Sequence, residues 1–213
     1  PCNQNKCSGG LISVFVERPH VMQTRTVFTT PLVSGFFRVI FKIITRVIGW
    51  RIVGEKPSDK KYMLIAAPHT SNWDFALMLL IVLKLRLQLY WMGKDSLFPF
   101  GFGWLMRWLG GISIDRAKSH NVVNETVRQY REHESLVILI PPEGTRRKVT
   151  TWKSGFYHIA NNANVPIMMG YIDATTKEAG LADFFQPTGN LKQDMSEIRA
   201  FYSKKKGLRA ENS

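Results

Sequence analysis

Tyr62-Met63-Leu64-Ile65-Ala66-Ala67-Pro68-His69-Thr70-Ser71-Asn72-Trp73-Asp74-Phe75 passes from an unbroken apolar stretch, through a proline and a polar turn, into a second apolar stretch that lasts to Leu83. The first stretch is short and wholly apolar, the pattern of a buried strand. Pro68 stops it. Ser71 and Asp74 have the Ser-x-x-acid spacing of a helix start, with Ser71 as N-cap and Asp74 in the first turn. Phe75 to Leu83 continues that helix. His69 and Asp74 stand five positions apart. Within one helix they would point roughly 140° apart, but a histidine in the loop before the helix can fold back over its start. Asp74 would be held anionic by free backbone N–H groups and the positive helix end. It could then accept from one imidazole nitrogen and leave the other as a base. On this segment alone a second reading stands beside that one: Asp74 caps the helix, and His69 is an ordinary loop residue.

Working outward, the pattern repeats. Gln88 to Met92 reads as a strand, and so do Ile112 to Ile114, Leu136 to Ile140 and Val165 to Ile172. Asn121 to Glu132 and Ser154 to Asn164 read as helices. Beyond Thr175 the signal weakens, with a cationic helix expected over Glu197 to Lys206. Alternating strands and helices imply an α/β fold, a mostly parallel central sheet covered by helices on both faces. Ligands in such sheets gather at the carboxyl ends of strands. His69, Arg116 and Glu143-Gly144-Thr145-Arg146 each follow an expected strand, so three loops converge if those strands are neighbours. Arginines beside a base suit a phosphorylated substrate, because a guanidinium fork binds phosphate in bidentate fashion and keeps its charge. Gly144 would let backbone approach a ligand closely. Each arginine could equally be a solvated or ion-paired surface residue. No nucleophile elbow is present, which argues for a base that activates an incoming hydroxyl directly. No paired-histidine metal motif is present either, so no metal is expected.

The chain has 213 residues, enough for one domain, and a formal net charge of +13. Such a charge calls for an acidic partner: nucleic acid, an anionic membrane surface or a phosphorylated substrate. No nucleic-acid-binding motif accompanies it. Cys2 and Cys7 are the only cysteines, so no disulfide framework is expected. Residues 1–26 read as a disordered or non-native leader, with Met22 as the expected natural start. Residues 27–51 read as an amphipathic helix, in which Arg38, Lys42 and Arg46 recur every four positions among Phe, Ile, Val and Trp. Three cations near a bilayer centre cost roughly 2.5–3.5 kcal/mol each, more than about ten apolar residues return at roughly 0.3–0.6 each. A helix lying in the interface fits better than one that spans. Packing on the protein's own core is the other possibility. Residues 52–213 form the α/β domain. Within it, Phe98 to Trp108 is crowded with aromatics, which suits a core, a greasy channel or a membrane-contacting edge.

His69-x4-Asp74 followed by Pro142-Glu143-Gly144-Thr145-Arg146 resembles the glycerophospholipid acyltransferase family, and is most similar to its bacterial lysophosphatidic acid (1-acylglycerol-3-phosphate) acyltransferases. Gly110 to Arg116 and Val165-Pro166-Ile167 supply two weaker blocks, so the resemblance runs from about Tyr62 to Asp173. It implies an O-acyltransferase of phospholipid biosynthesis. His69 would be the general base and Asp74 its orienting partner. Arg116, Glu143, Gly144, Thr145 and Arg146 would bind the acceptor's glycerol phosphate. The donor would be acyl-CoA or acyl-carrier protein as co-substrate, with no further cofactor. The acceptor would be a lysophospholipid, and the location the cytoplasmic face of the inner membrane, peripheral or monotopic, on anionic lipid. Related enzymes acylate other lysolipids with the same motifs. A non-catalytic anionic-lipid binder and a thioesterase are the competing classes.

Overall fold

The computed structural model describes residues 25–114 and 119–212. In chain order its elements are helix α1 (Pro31–Val47), strands β1 (Arg51–Val53) and β2 (Lys61–Ala67), helix α2 (Trp73–Lys84), strand β3 (Tyr90–Lys94), helix α3 (Gly103–Trp108), strand β4 (Gly111–Ile114), helix α4 (Ser119–Glu132), strand β5 (Leu136–Ile140), helix α5 (Gly155–Ala163), strands β6 (Ile167–Asp173) and β7 (Glu178–Phe185), and helix α6 (Leu191–Tyr202). The strands form one sheet in the order β1-β7-β6-β2-β5-β3-β4. Every pairing is parallel except β6 with β7. The expected mostly parallel α/β sheet is the observed one.

The strand that opened the sequence reading lies at its centre, between β5 and β6. Burial on both faces explains its lack of polar residues. Met63, Ile65 and Ala67 face a core shared with Tyr130 of α4, Phe156 and Ile159 of α5, and Ile198 and Tyr202 of α6. Tyr62 and Leu64 face the other way, onto Met78 and Val82 of α2. Removing each large side chain here from water contributes about 1.5–3 kcal/mol. Buried hydroxyls tie the layers together. Tyr130 donates to the carbonyl of Tyr62 at 2.8 Å, and Tyr202 to that of Gly170 at 2.9 Å. Asp194 of α6 is 1% exposed and accepts from the Tyr157 hydroxyl at 2.7 Å and the Thr188 backbone at 2.8 Å.

Helix α2 is apolar nearly all round because it is covered twice. Met78 and Val82 meet the sheet, while Leu77, Leu80 and Ile81 join Ile52, with Phe41 of α1 and Trp50 packed alongside. Helix α1 is thus anchored along one row. Other apolar side chains on it are in the open: Phe36 is 65% exposed, Val39 61%, Ile43 58% and Val47 79%. Lys42 and Arg46 are exposed beside them. No described helix is long and apolar enough to cross a membrane. The aromatic crowd after β3 divides. Phe98 stacks on Trp91, whereas Phe100, Phe102 and Trp104 stand in solvent.

Two strands fall outside the sequence expectations. β7 reads Glu178-Ala179-Gly180-Leu181-Ala182-Asp183-Phe184-Phe185, too poor in β-branched residues to announce itself. Its Gly180 lies so close to β1 that a Cβ would meet the Val53 carbonyl oxygen at 2.0 Å. β1 is three residues long, and its first residue, Arg51, falls in the stretch 27–51 expected as helix. β6 begins at Ile167 rather than Val165, because Asn164 ends α5 in the left-handed region at φ 53° and Val165 donates back to Ala160.

Candidate active site

The turn after β2 is built around one buried carboxylate. Asp74 is 4% exposed. Its Oδ2 accepts from the backbone N–H of Thr70 at 2.6 Å and of Ser71 at 2.7 Å. The same oxygen lies 3.2 Å from Nδ1 of His69. Three groups thus converge on one carboxylate oxygen. Asp74 Oδ1 is buried and has no hydrogen-bond partner among the described residues. The expected cap shifts by one residue. Asn72 is the N-cap of α2, and the Ser71 hydroxyl accepts instead from Trp73 N–H at 2.9 Å. The Asp74 side chain is therefore held by the turn before the helix, not by the helix's own first amides.

His69 keeps 26% of its side chain exposed. Nδ1 faces Asp74, and Nε2 has no hydrogen bond to any described residue. The proton between Nδ1 and a carboxylate belongs on the nitrogen, which leaves Nε2 as the basic atom. The His69 backbone is also tied down, since its N–H donates to Glu143 Oε2 at 2.7 Å. That contact exists because β2 and β5 are neighbours, so their carboxyl-end loops meet. Burial is the chief cause that pushes the Glu143 carboxyl up to about 7; the His69 N–H and imidazole pull it down, and Asp74 pushes it up. Sequence reasoning assigned Glu143 to substrate, and here its carboxylate grips the base-bearing turn.

The remaining expected residues divide. Gly144 adopts φ +66° and its N–H donates to the Pro141 carbonyl at 3.1 Å, a tight turn in the conformation glycine favours. Thr145 is half-buried and Arg146 is exposed beside it. Arg116 lies outside the described residues. The strand before it, β4, is not adjacent to β5, because β3 intervenes. Three strand steps separate the β2 and β4 loops, roughly 14–15 Å at about 4.8 Å per step. Lys94, which ends β3, occupies the gap. It was overlooked because nothing near it in sequence marks it; only the strand order places it between two site loops.

Thr70 lies inside the His69–Asp74 motif, and what the sequence conceals is its partners. It is 2% exposed, and its hydroxyl accepts from Arg209 N–H at 3.1 Å while its carbonyl accepts from the Asn212 amide at 3.3 Å. Residues far along the chain thus clamp the turn between base and carboxylate. On the α2 side of the sheet a cavity of about 130 Å³ opens beside them. Pro68, His69 and Asp74 form part of its wall, and Leu64, Ala66, Met78, Val82, Gly170 and Leu181 line its apolar part.

A family model described as Acyltransferase matches residues 49–172 of the chain. The 1-acyl-sn-glycerol-3-phosphate acyltransferase of Haemophilus influenzae is 28% identical over 164 residues, which cover 72% of this chain and 67% of that protein. The protein of the same name from Escherichia coli is 28% identical over 155 residues, 68% of this chain and 62% of that one. Less than two thirds of the Escherichia coli relative is therefore spanned. The crystal structure of the 1-acyl-sn-glycerophosphate acyltransferase from Thermotoga maritima matches 83% of each chain with a TM-score of 0.55 at 18% identity, a likeness of fold.

Proposed function

The chain belongs to the Acyltransferase family, and on that premise we propose that it transfers a fatty acyl group from an acyl thioester to the free hydroxyl of a lysophospholipid. The acceptor best supported is 1-acylglycerol-3-phosphate, giving phosphatidate, as in the named relatives. The donor is acyl-CoA or acyl-carrier protein. One observation carries the reading: a partly exposed imidazole aimed by a buried carboxylate at 3.2 Å, beside an apolar cavity.

His69 Nε2 takes the proton of the acceptor hydroxyl as its oxygen attacks the thioester carbonyl. The imidazolium formed lies against Asp74 Oδ2. Collapse of the tetrahedral adduct breaks the C–S bond, and the imidazolium returns its proton to the leaving thiolate. A positioned base of this kind contributes about 10²–10⁴-fold. Exposed cations at the carboxyl edge, Arg146 and Lys94 among the described residues, suit the acceptor's phosphate.

The protein works at the cytoplasmic face of the inner membrane, attached peripherally. The open row on α1, with its lysine and arginine, and the exposed Phe100, Phe102 and Trp104 are the surfaces that meet lipid. The test is a product assay in detergent with acyl-CoA, acyl-carrier protein and a panel of lysophospholipids, read by mass spectrometry. Phosphatidate formed with stoichiometric thiol release supports the reading. Free fatty acid as the sole acyl product makes it a thioesterase, and lipid binding without turnover makes it a binder.

A further inference from the structure

On the other side of the Pro68 turn from the apolar cavity lies a second hollow, of about 330 Å³, also walled by Ala67, Pro68 and Glu143. That is within the range of small-ligand sites. Five cations line it, Arg147, Lys148, Arg199, Lys205 and Lys206, against the single carboxylate of Glu143. Two are held in place. Arg199 donates to the Thr150 carbonyl and lies over the Trp152 ring, and Lys205 sits 4.2 Å over the Tyr171 ring with Asp173 at 3.8 Å. The side chains of Arg147, Lys148 and Lys206 make no ion pair with any described carboxylate. So dense a concentration of like charge in a concavity is unfavourable unless an anion fills it.

Building on the acyltransferase reading above, we propose that this groove holds the phosphate-bearing head of the donor, the 3′-phosphorylated adenosine diphosphate of coenzyme A. Phosphate chemistry could come from either substrate, and charge decides between them. A phosphomonoester such as the acceptor's carries about −1.5 to −2. The coenzyme A head adds the two charges of a diphosphate to such a group, about −4 in all; five cations set against Glu143 and the Asp173 beside Lys205 leave about three positive charges, more than a phosphomonoester neutralises. Position agrees. A long-chain acyl thioester is apolar at one end and polyanionic at the other, with the reacting carbonyl between. The Pro68–His69 turn is the wall shared by one apolar and one cationic hollow.

The experiment is calorimetric titration of the full chain with coenzyme A and with 3′-dephospho-coenzyme A, for wild type and for the double variant Lys148→Glu/Lys206→Glu. Both lysines are exposed, and an unchanged melting temperature checks the fold. Coenzyme A binding weakens at least tenfold in the variant. Removing the 3′-phosphate costs the wild type severalfold and the variant little. In steady-state assays the KM for acyl-CoA rises at least tenfold while the KM for lysophosphatidate stays within twofold. Lys148→Arg/Lys206→Arg restores both. Coenzyme A affinity unmoved by charge reversal, or absent in wild type, overturns the assignment. So does a rise confined to the lysophosphatidate KM, which makes this the acceptor's site, or turnover with acyl-carrier protein as the sole donor. Absence of acyl transfer from every donor defeats the functional reading instead, and the titration still decides whether the groove takes coenzyme A.

Discussion

Asp74→Asn is the sharpest single test of the proposed mechanism. The amide oxygen can take the place of Oδ2 and keep the Thr70 and Ser71 N–H bonds at 2.6 and 2.7 Å, so the turn survives. The amide nitrogen then enters the place of Oδ1, which has no partner among the described residues. A buried unsatisfied donor costs about 1–3 kcal/mol, and for a chain of this size each kcal/mol lowers Tm by roughly 2–4 °C. What disappears is the charge opposite the imidazolium. At a separation of 3.2 Å, Coulomb's law gives about 5 kcal/mol for an effective dielectric of 20 and about 1.3 kcal/mol for water. His69 is partly exposed, so about 3 kcal/mol is a fair middle value, equivalent to about a hundredfold in kcat. The assay is phosphatidate formation at 25 °C at saturating donor and acceptor, with thermal melting as the fold control. We expect kcat to fall by about 10²-fold with both KM values within a factor of three. A folded variant with kcat within threefold of wild type would refute the view that Asp74 acts electrically on His69.

Glu143→Gln should alter the pH dependence of stability. The Glu143 carboxyl is raised from the ordinary 4.5 to about 7 in the folded protein, so the folded state holds a proton that the unfolded state has lost between those values. Its contribution is complete below about pH 4.5 and lost as pH rises through about 7. The span is at most about 3 kcal/mol, and about 1–2 kcal/mol after discounting for partial exposure; urea melts of wild type should show it, and melts of the variant should not. Thr70→Val leaves the Arg209 N–H without its acceptor. It should destabilise by about 1–3 kcal/mol in the same melts and lower kcat through looser placement of His69. Val47→Glu, at a side chain 79% exposed on α1, should leave Tm within about 2 °C while reducing sedimentation with anionic vesicles severalfold.

The order and type of the main elements were legible because their signals are local. β5 spans Leu136–Ile140, the five apolar residues between Ser135 and Pro141-Pro142, and the proline after β2 ends that strand where the structure ends it. His69 and Asp74 were legible as a pair for the same reason. The partners of the pair were not. Glu143 meets His69 only because β5 pairs with β2, and Thr70 meets Arg209 across nearly the whole domain. Strand order is set by crossovers and packing, and no residue near His69 encodes it. β7 was hidden because its interior demands small residues: Gly180 must clear β1, and a row of glycine and alanine does not read as a strand. On α1, packing on the protein's own core holds for one row, which meets α2 and β1, while Phe36, Val39, Ile43 and Val47 stay exposed.

The central place of β2 sets a timetable for the molecule's making. The strand is synthesised early, yet both of its neighbours, Leu136–Ile140 and Ile167–Asp173, come much later. At about 5–20 residues per second, an apolar strand and the greasy helix behind it wait several seconds for a partner. Such non-local pairing slows folding, and over that interval the nascent chain presents one of its most aggregation-prone segments. A ribosome-bound chaperone, or, on the proposed membrane attachment, a lipid surface met by the helix at Pro31–Val47, has its greatest effect in that window. The yield of protein made without either should fall well before any defect in the finished fold can be measured.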